Sequence, residues 1–269
     1  MNVSLFADVA AHASLTELHL NGVFFDVPEL LDVFVDAALS LPLLRAVKFV
    51  DCRLSPASAP ALARLLGSGT LTELKIQNNG HALLDAPAAA LLGDALRANA
   101  TLTALSLHRT QLWSDHAAAA SLLGALTGHA SLRQLGVIAH FGWHLSYEDR
   151  QCAGALLGAL IAADAPALTA LDVSASFRDD TGLRPLFEAL PANSHLRALD
   201  CSDNHISAAF AADVLLPAVR ANTSLRTLIT HTGFQPQPDA AREAMALVAR
   251  RGGPGEAAHW CDGAGDPRF

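Results

Sequence analysis

The chain is poor in the residues that most function classes need. Lysine occurs twice in 269 residues, at Lys48 and Lys75, and the formal net charge is −8. Nucleic-acid binding depends on neutralising phosphates, so an acidic chain without a basic run is not expected to bind DNA or RNA. The same deficit argues against docking on an anionic membrane, and no uninterrupted apolar run of about 18 residues is present to span one. The four cysteines, Cys52, Cys152, Cys201 and Cys261, lack the paired spacing of a zinc site. The histidines are scattered along the chain, and neither a metal nor a cofactor is expected. Aromatic residues make up 6% and charged residues 16% of the chain. The second figure is low against roughly 25% in an average soluble domain. A core of this composition must be built from leucine, alanine and valine.

What is present is a repeat. Residues 96–105, 190–199 and 219–228 each read as a helix end, an Ala-Asn or similar break, and then Leu-x-x-Leu. With the first leucine as marker, repeats begin at Leu15, Leu44, Leu71, Leu102, Leu132, Leu168, Leu196 and Leu225, spaced by 29, 27, 31, 30, 36, 28 and 29 residues. Period-two alternation after each marker predicts a strand buried on one face. Helical periodicity then covers 28–39, 57–66, 87–98, 116–126, 147–162, 181–190, 208–221 and 239–250. Asp and Ser near several of these starts are expected N-caps, and Pro28 suits a first helical turn. Self-similarity at this period predicts a solenoid in which each unit buries its apolar face against its neighbours.

Eight registers of an apolar L-x-x-L-x-L pattern, broken only by Thr230 at the third position of the last, with a full helix between them, resemble the ribonuclease-inhibitor type of leucine-rich repeat. The resemblance spans about residues 3–250 and implies an α/β fold: a right-handed curved solenoid, or horseshoe, with a parallel β-sheet on the concave face and helices on the convex face. Residues 1–14 are expected to form a partial cap, and 251–269 a flexible tail. In that family the ninth repeat position is Asn or Cys, tying adjacent turns together. Here it is Val23, Cys52, Asn79, Thr110, His140, Ser176, Asn204 and Gly233. Gly93-Asp-Ala-Leu, Gly124-Ala-Leu and Gly154-Ala-Leu-Leu-Gly158-Ala-Leu further resemble the GALA repeats of type III effectors of plant pathogens, which that resemblance would pair with an F-box. Residues 1–14 are not expected to form an F-box.

The expected function is a non-enzymatic protein–protein interaction scaffold, with no nucleic acid or membrane as partner and with end-to-end self-association as a further expectation. The arginine and alanine bias points to a GC-rich bacterial genome. Residues 1–8 show no secretory leader, so the expected location is the cytoplasm, or a host cell if the chain is an effector. Strand residues flanking the buried leucines form the expected binding surface, among them Glu73, Lys75, His108, Asp172 and Asp200. Trp113, Phe141, Trp143, His144 and Tyr147 cluster around the fourth and fifth repeats, the fifth being the longest unit. Such rings either anchor a partner or fold back to bury themselves. The rival class is a ubiquitin-ligase component or a small-GTPase activator. It rests on Cys201-Ser-Asp, which resembles a ligase nucleophile motif, and on Arg109 and Arg178 in loops after strands. Cys201 occupies an inward strand position, which argues against a reactive thiol.

Overall fold

The computed structural model describes residues 12–78, 81–139, 145–177, 179–231 and 236–252. The chain divides into two compact units, Met1–Leu132 and Arg133–Phe269. The first alternates β1 (Glu17–Asn21), α1 (Pro28–Leu39), β2 (Ala46–Val50), α2 (Ala59–Leu66), β3 (Glu73–Gln77), α3 (Ala86–Ala98), β4 (Ala104–His108) and α4 (His116–Leu126). The second alternates β5 (Gln134–Ile138), α5 (Tyr147–Ala162), β6 (Ala170–Asp172), α6 (Asp180–Ala189), β7 (Ala198–Asp200), a composite helix α7 over 208–221, β8 (Thr227–Ile229) and α8 (Asp239–Arg251).

Within each unit the strands are parallel and follow chain order, as helical crossovers require. In the first, Leu18, Val47, Leu74 and Leu105 stand in register, and so do Leu20, Phe49, Ile76 and Leu107. In the second the matching row is Leu135, Leu171, Leu199 and Leu228. Apart from Leu18 these side chains are buried. The predicted marker leucines and helix spans hold to within one or two residues. Asp85, Asp115 and Asp179 cap α3, α4 and α6 by accepting backbone N–H bonds, and Ser146 forms a capping box with Asp149.

Two ladders of buried polar side chains hold the turns. After the strands, Asn204 Oδ1 accepts the N–H groups of Ser176 and Phe177, while its Nδ2 donates to the Val173 and Cys201 carbonyls. Ser176 Oγ passes the pattern one repeat back by donating to the Val137 carbonyl and accepting the Ala139 N–H. Cys52 fills the same place with weak Sγ contacts to the Leu20 and Val50 carbonyls. In the third repeat the buried asparagine is Asn78, one residue before the expected Asn79, which lies outside the described residues. Asn78 accepts the Leu54 N–H and donates to the Leu54 and His81 carbonyls. The expected turn residues His140 and Gly233 also lie outside the described residues. At five of the turns the residue before the ladder position takes a left-handed backbone: Gly22, Asp51, Arg109, Ala175 and Asp203. Glycine fits this conformation without cost, but in four of the five a side chain is carried there.

The second ladder lies between helix and following strand at five of the junctions, three residues before the marker leucine. Asn99 accepts from Thr101 and Leu102 and donates to the Leu66 carbonyl. Asn193 and Asn222 repeat the arrangement, donating to the Ile161 and Leu190 carbonyls. Ser68 accepts from Thr70 and Leu71, and His129 Nδ1 accepts from Ser131 and Leu132. These side chains satisfy carbonyls and N–H groups that would otherwise be stranded at a buried helix end.

The glycines of the G-A-L motifs differ in their reason. A Cβ at Gly154 would meet the Gly182 carbonyl oxygen at 2.5 Å, and one at Gly158 would meet that of Pro185 at 2.8 Å. The backbones of α5 and α6 therefore approach too closely for any side chain there. A Cβ at Gly124 would meet nothing within 4 Å. The composite α7 runs as α-helix over Ala208–Phe210, widens to a π segment over Ala211–Leu215, and resumes over Leu216–Ala221. Pro217, which lacks an N–H and crowds the carbonyl four residues back, sits just beyond the widened turn.

Candidate functional site

The helices cover one side of the strands, so the remaining strand positions define the other face. In the first unit it consists of three rows across neighbouring strands. Glu17, Ala46, Glu73 and Ala104 form one; His19, Lys48, Lys75 and Ser106 the next; Asn21, Val50, Gln77 and His108 the third. Lys48 lies 2.8 Å from Glu17 and 3.4 Å from Glu73. The Glu17 bond outweighs the effect of burial and, with the Glu73 charge, holds the Lys48 pKa above its ordinary value. Ser106 Oγ lies 2.7 Å from His108 Nε2. The first unit thus presents both signs of charge, internally paired.

The second unit is different. Asp172 and Asp200 stand in register on β6 and β7, beside Gly136 on β5 and below the small residues Ala170 and Ala198. One carboxylate oxygen of each accepts a backbone N–H, from Ser174 at 2.9 Å and from Ser202 at 2.8 Å. Burial raises the Asp200 pKa, against the lowering by Ser202 and by His231. No lysine or arginine occurs at the strand positions of β5–β8.

The five strand residues expected from the sequence, Glu73, Lys75, His108, Asp172 and Asp200, all lie at partly exposed positions on this face or its edge. The aromatic expectation fares differently. Trp113 is 2% exposed and belongs to a short 3-10 turn, Leu112–Ser114. The left-handed backbone at Gln111 turns the chain so that both Leu112 and Trp113 are buried. Trp113 therefore presents no ring to a partner: of its two expected roles the buried one holds, and it leaves the set of expected partner-binding residues. Tyr147 is 59% exposed at the first turn of α5, behind the Ser146 cap. Phe141, Trp143 and His144 lie outside the described residues, as does His140, which stands four residues before His144. Arg150, which donates to the Leu145 carbonyl and pairs with Asp179 at 3.0 Å, fixes the chain where it enters α5.

Among the described residues the candidate catalytic groups do not assemble. Cys201 is fully buried, and burial pushes its pKa well above the ordinary thiol value; Cys52 is buried and raised for the same reason. A thiol in that state is a poor nucleophile. Arg109 is half-buried beside the Asp51 charge, with desolvation lowering its pKa; Arg178 lies outside the described residues. One Ser–His–Asp cluster, invisible in the sequence, joins Asp164, Ser194 and His195. Asp164 approaches His195 Nδ1 at 2.9 Å, and Ser194 Oγ approaches the same nitrogen at 3.3 Å while donating to Asp164. A relay needs base and acid on opposite ring nitrogens. Here both address one, so the cluster ties a turn. Among the described residues no three His, Cys, Asp or Glu side chains are placed to hold a metal, and no helix is long and apolar enough to cross a membrane.

A solved structure, the leucine-rich repeat-containing protein LegL7 from Legionella pneumophila, superposes with a TM-score of 0.57 at 14% identity, covering 94% of this chain and 88% of that one. The fold is that of a leucine-rich-repeat protein. The tropomodulin C-terminal domain of Caenorhabditis elegans matches over 60% of this chain and 93% of its own, at 16% identity and a TM-score of 0.43. No protein-family model and no curated protein matches the sequence.

Proposed function

We propose that this leucine-rich-repeat chain is a protein-interaction scaffold that receives its partner on the face of the strands opposite the helices. The observation that carries the reading is the Asp172–Asp200 pair. Two carboxylates side by side on neighbouring strands, with glycine and alanine beside them, leave room for a partner's side chains and favour a cationic one. Tyr147 belongs to the edge of this surface as an exposed amphipathic ring, and Trp113 is left out of it. The host-effector form of the role, and the rival ligase and GTPase-activator readings, gain no support from Cys201 or Arg109.

Affinity capture from bacterial lysate and from plant or animal cytosol, read by mass spectrometry, tests the proposal when wild type is run beside Asp172→Arg/Asp200→Arg. A protein retained by wild type and lost by the folded variant supports it. Retention unchanged by the double reversal contradicts it.

A further inference from the structure

The helix-to-strand ladder contains one titratable member. Asn99, Asn193 and Asn222 hold their turns with an amide, which does not change protonation between pH 4 and pH 9 in the sense that matters here: its oxygen always accepts. His129 holds the equivalent turn with an imidazole that is 7% exposed. Its Nδ1 accepts the Ser131 N–H at 3.3 Å and the Leu132 N–H at 3.2 Å. Leu132 is the marker leucine of the fifth repeat and is itself buried. With Nδ1 accepting, the proton of the neutral ring resides on Nε2, which is buried and faces the Leu96 carbonyl, as the Asn99 amide faces that of Leu66.

We propose that His129 makes its turn an acid-sensitive latch: protonation of the ring releases the Ser131 and Leu132 amides and opens the lead into β5 while the asparagine-held turns stay closed. An imidazolium has a hydrogen on both nitrogens, so it cannot accept either bond. It would also place a buried charge with no counter-ion. The ring meets backbone rather than charge. Burial lowers its pKa from the ordinary 6.5, the Leu96 carbonyl of α3 opposes that, and no carboxylate or cation contributes. The charged residues on the neighbouring segments are Arg97, held by Asp94 at 3.0 Å on α3, Asp115 and His116 at the distant start of α4, and Arg133 on the exposed far side of the turn. A lowered folded-state pKa means that the latch is fully closed above 6.5 and weakens as the pH falls from there towards the folded-state value, by up to about tenfold in the opening equilibrium per pH unit.

Amide hydrogen exchange of the full chain, followed by NMR at pH 7 and pH 5 and corrected for intrinsic exchange, reads the latch residue by residue. Protection of Ser131 and Leu132 is expected to fall severalfold at pH 5, while Thr101, Leu102, Ser224 and Leu225 keep theirs. His129→Asn installs the side chain of the other turns and is expected to remove the fall without loss of protection at pH 7. His129→Ala is expected to lower protection equally at both pH values. Unchanged Ser131 and Leu132 protection in wild type, or the same fall in His129→Asn, overturns the proposal.

Discussion

Asn204 Oδ1 accepts the Ser176 N–H at 2.9 Å, and Ser176 Oγ in turn donates to the Val137 carbonyl at 3.1 Å. Through these two bonds a buried side chain in each repeat satisfies the turn of the one before it. Asn204→Ala strips partners from two buried N–H groups and two carbonyls. At about 1–3 kcal/mol for each buried group left unsatisfied, with some recovered by water, a loss of about 3–5 kcal/mol is expected. Urea unfolding followed by circular dichroism measures it, and a loss below about 1 kcal/mol would remove the ladder from the account.

The glycines give predictions of opposite sign. Gly154→Ala or Gly158→Ala drives a methyl group into the backbone of α6 and is expected to cost about 1–3 kcal/mol or more. Gly124→Ala meets no atom and gains helix propensity, so a stabilisation of up to about 1 kcal/mol is expected. Thermal unfolding of the three variants separates the cases. Equal shifts would mean that the close approach of α5 and α6 is not as described.

Much of this architecture was legible in the sequence because it rests on periodicity. Leucines at Leu74, Leu105, Leu171 and Leu199 alternate with polar neighbours at period two, and the helices follow at their own period. What escaped was local backbone geometry. Asn79 was expected at the ladder because the register counts nine positions, yet the turn of the third repeat places Asn78 there. Trp113 could not be assigned to surface or core, because nothing in the residue types announces a left-handed Gln111. The helix-end ladder left a signal that could have been found: Ser68, Asn99, His129, Asn193 and Asn222 all stand three residues before a marker leucine. Asp172 and Asp200 were expected at strand positions and stand there partly exposed, but their pairing across β6 and β7 required the register.

The thiols test the burial that excludes nucleophilic chemistry. In a Cys261→Ser variant under native conditions, Cys52 and Cys201 are expected to react with an aromatic disulfide reagent only as fast as the fold opens. Cys152 is half-buried, with burial and Asp149 raising its pKa, and should react faster than these two but slower than a free thiol. Rapid labelling of Cys201, located by peptide mapping, would reopen the enzymatic reading.

Trp113 provides a further check. Truncation of a fully buried tryptophan costs about 3–5 kcal/mol, so Trp113→Ala is expected to lower stability by that order. Trp113→Phe, which keeps most of the apolar volume, should cost less and leave partner binding intact. A folded Trp113→Phe variant that lost its partner would return this residue to the interface.

The claim at the centre of the account is that the partner lies on the strand face. Site-specific photo-crosslinking measures this most directly, with a photoreactive residue placed in turn at Lys75 and Ser202 on the strand side and at Leu91 on the exposed side of α3. The account predicts covalent capture of one common protein from Lys75 or Ser202 and none from Leu91. Capture from Leu91 alone would place the partner on the helices and contradict it.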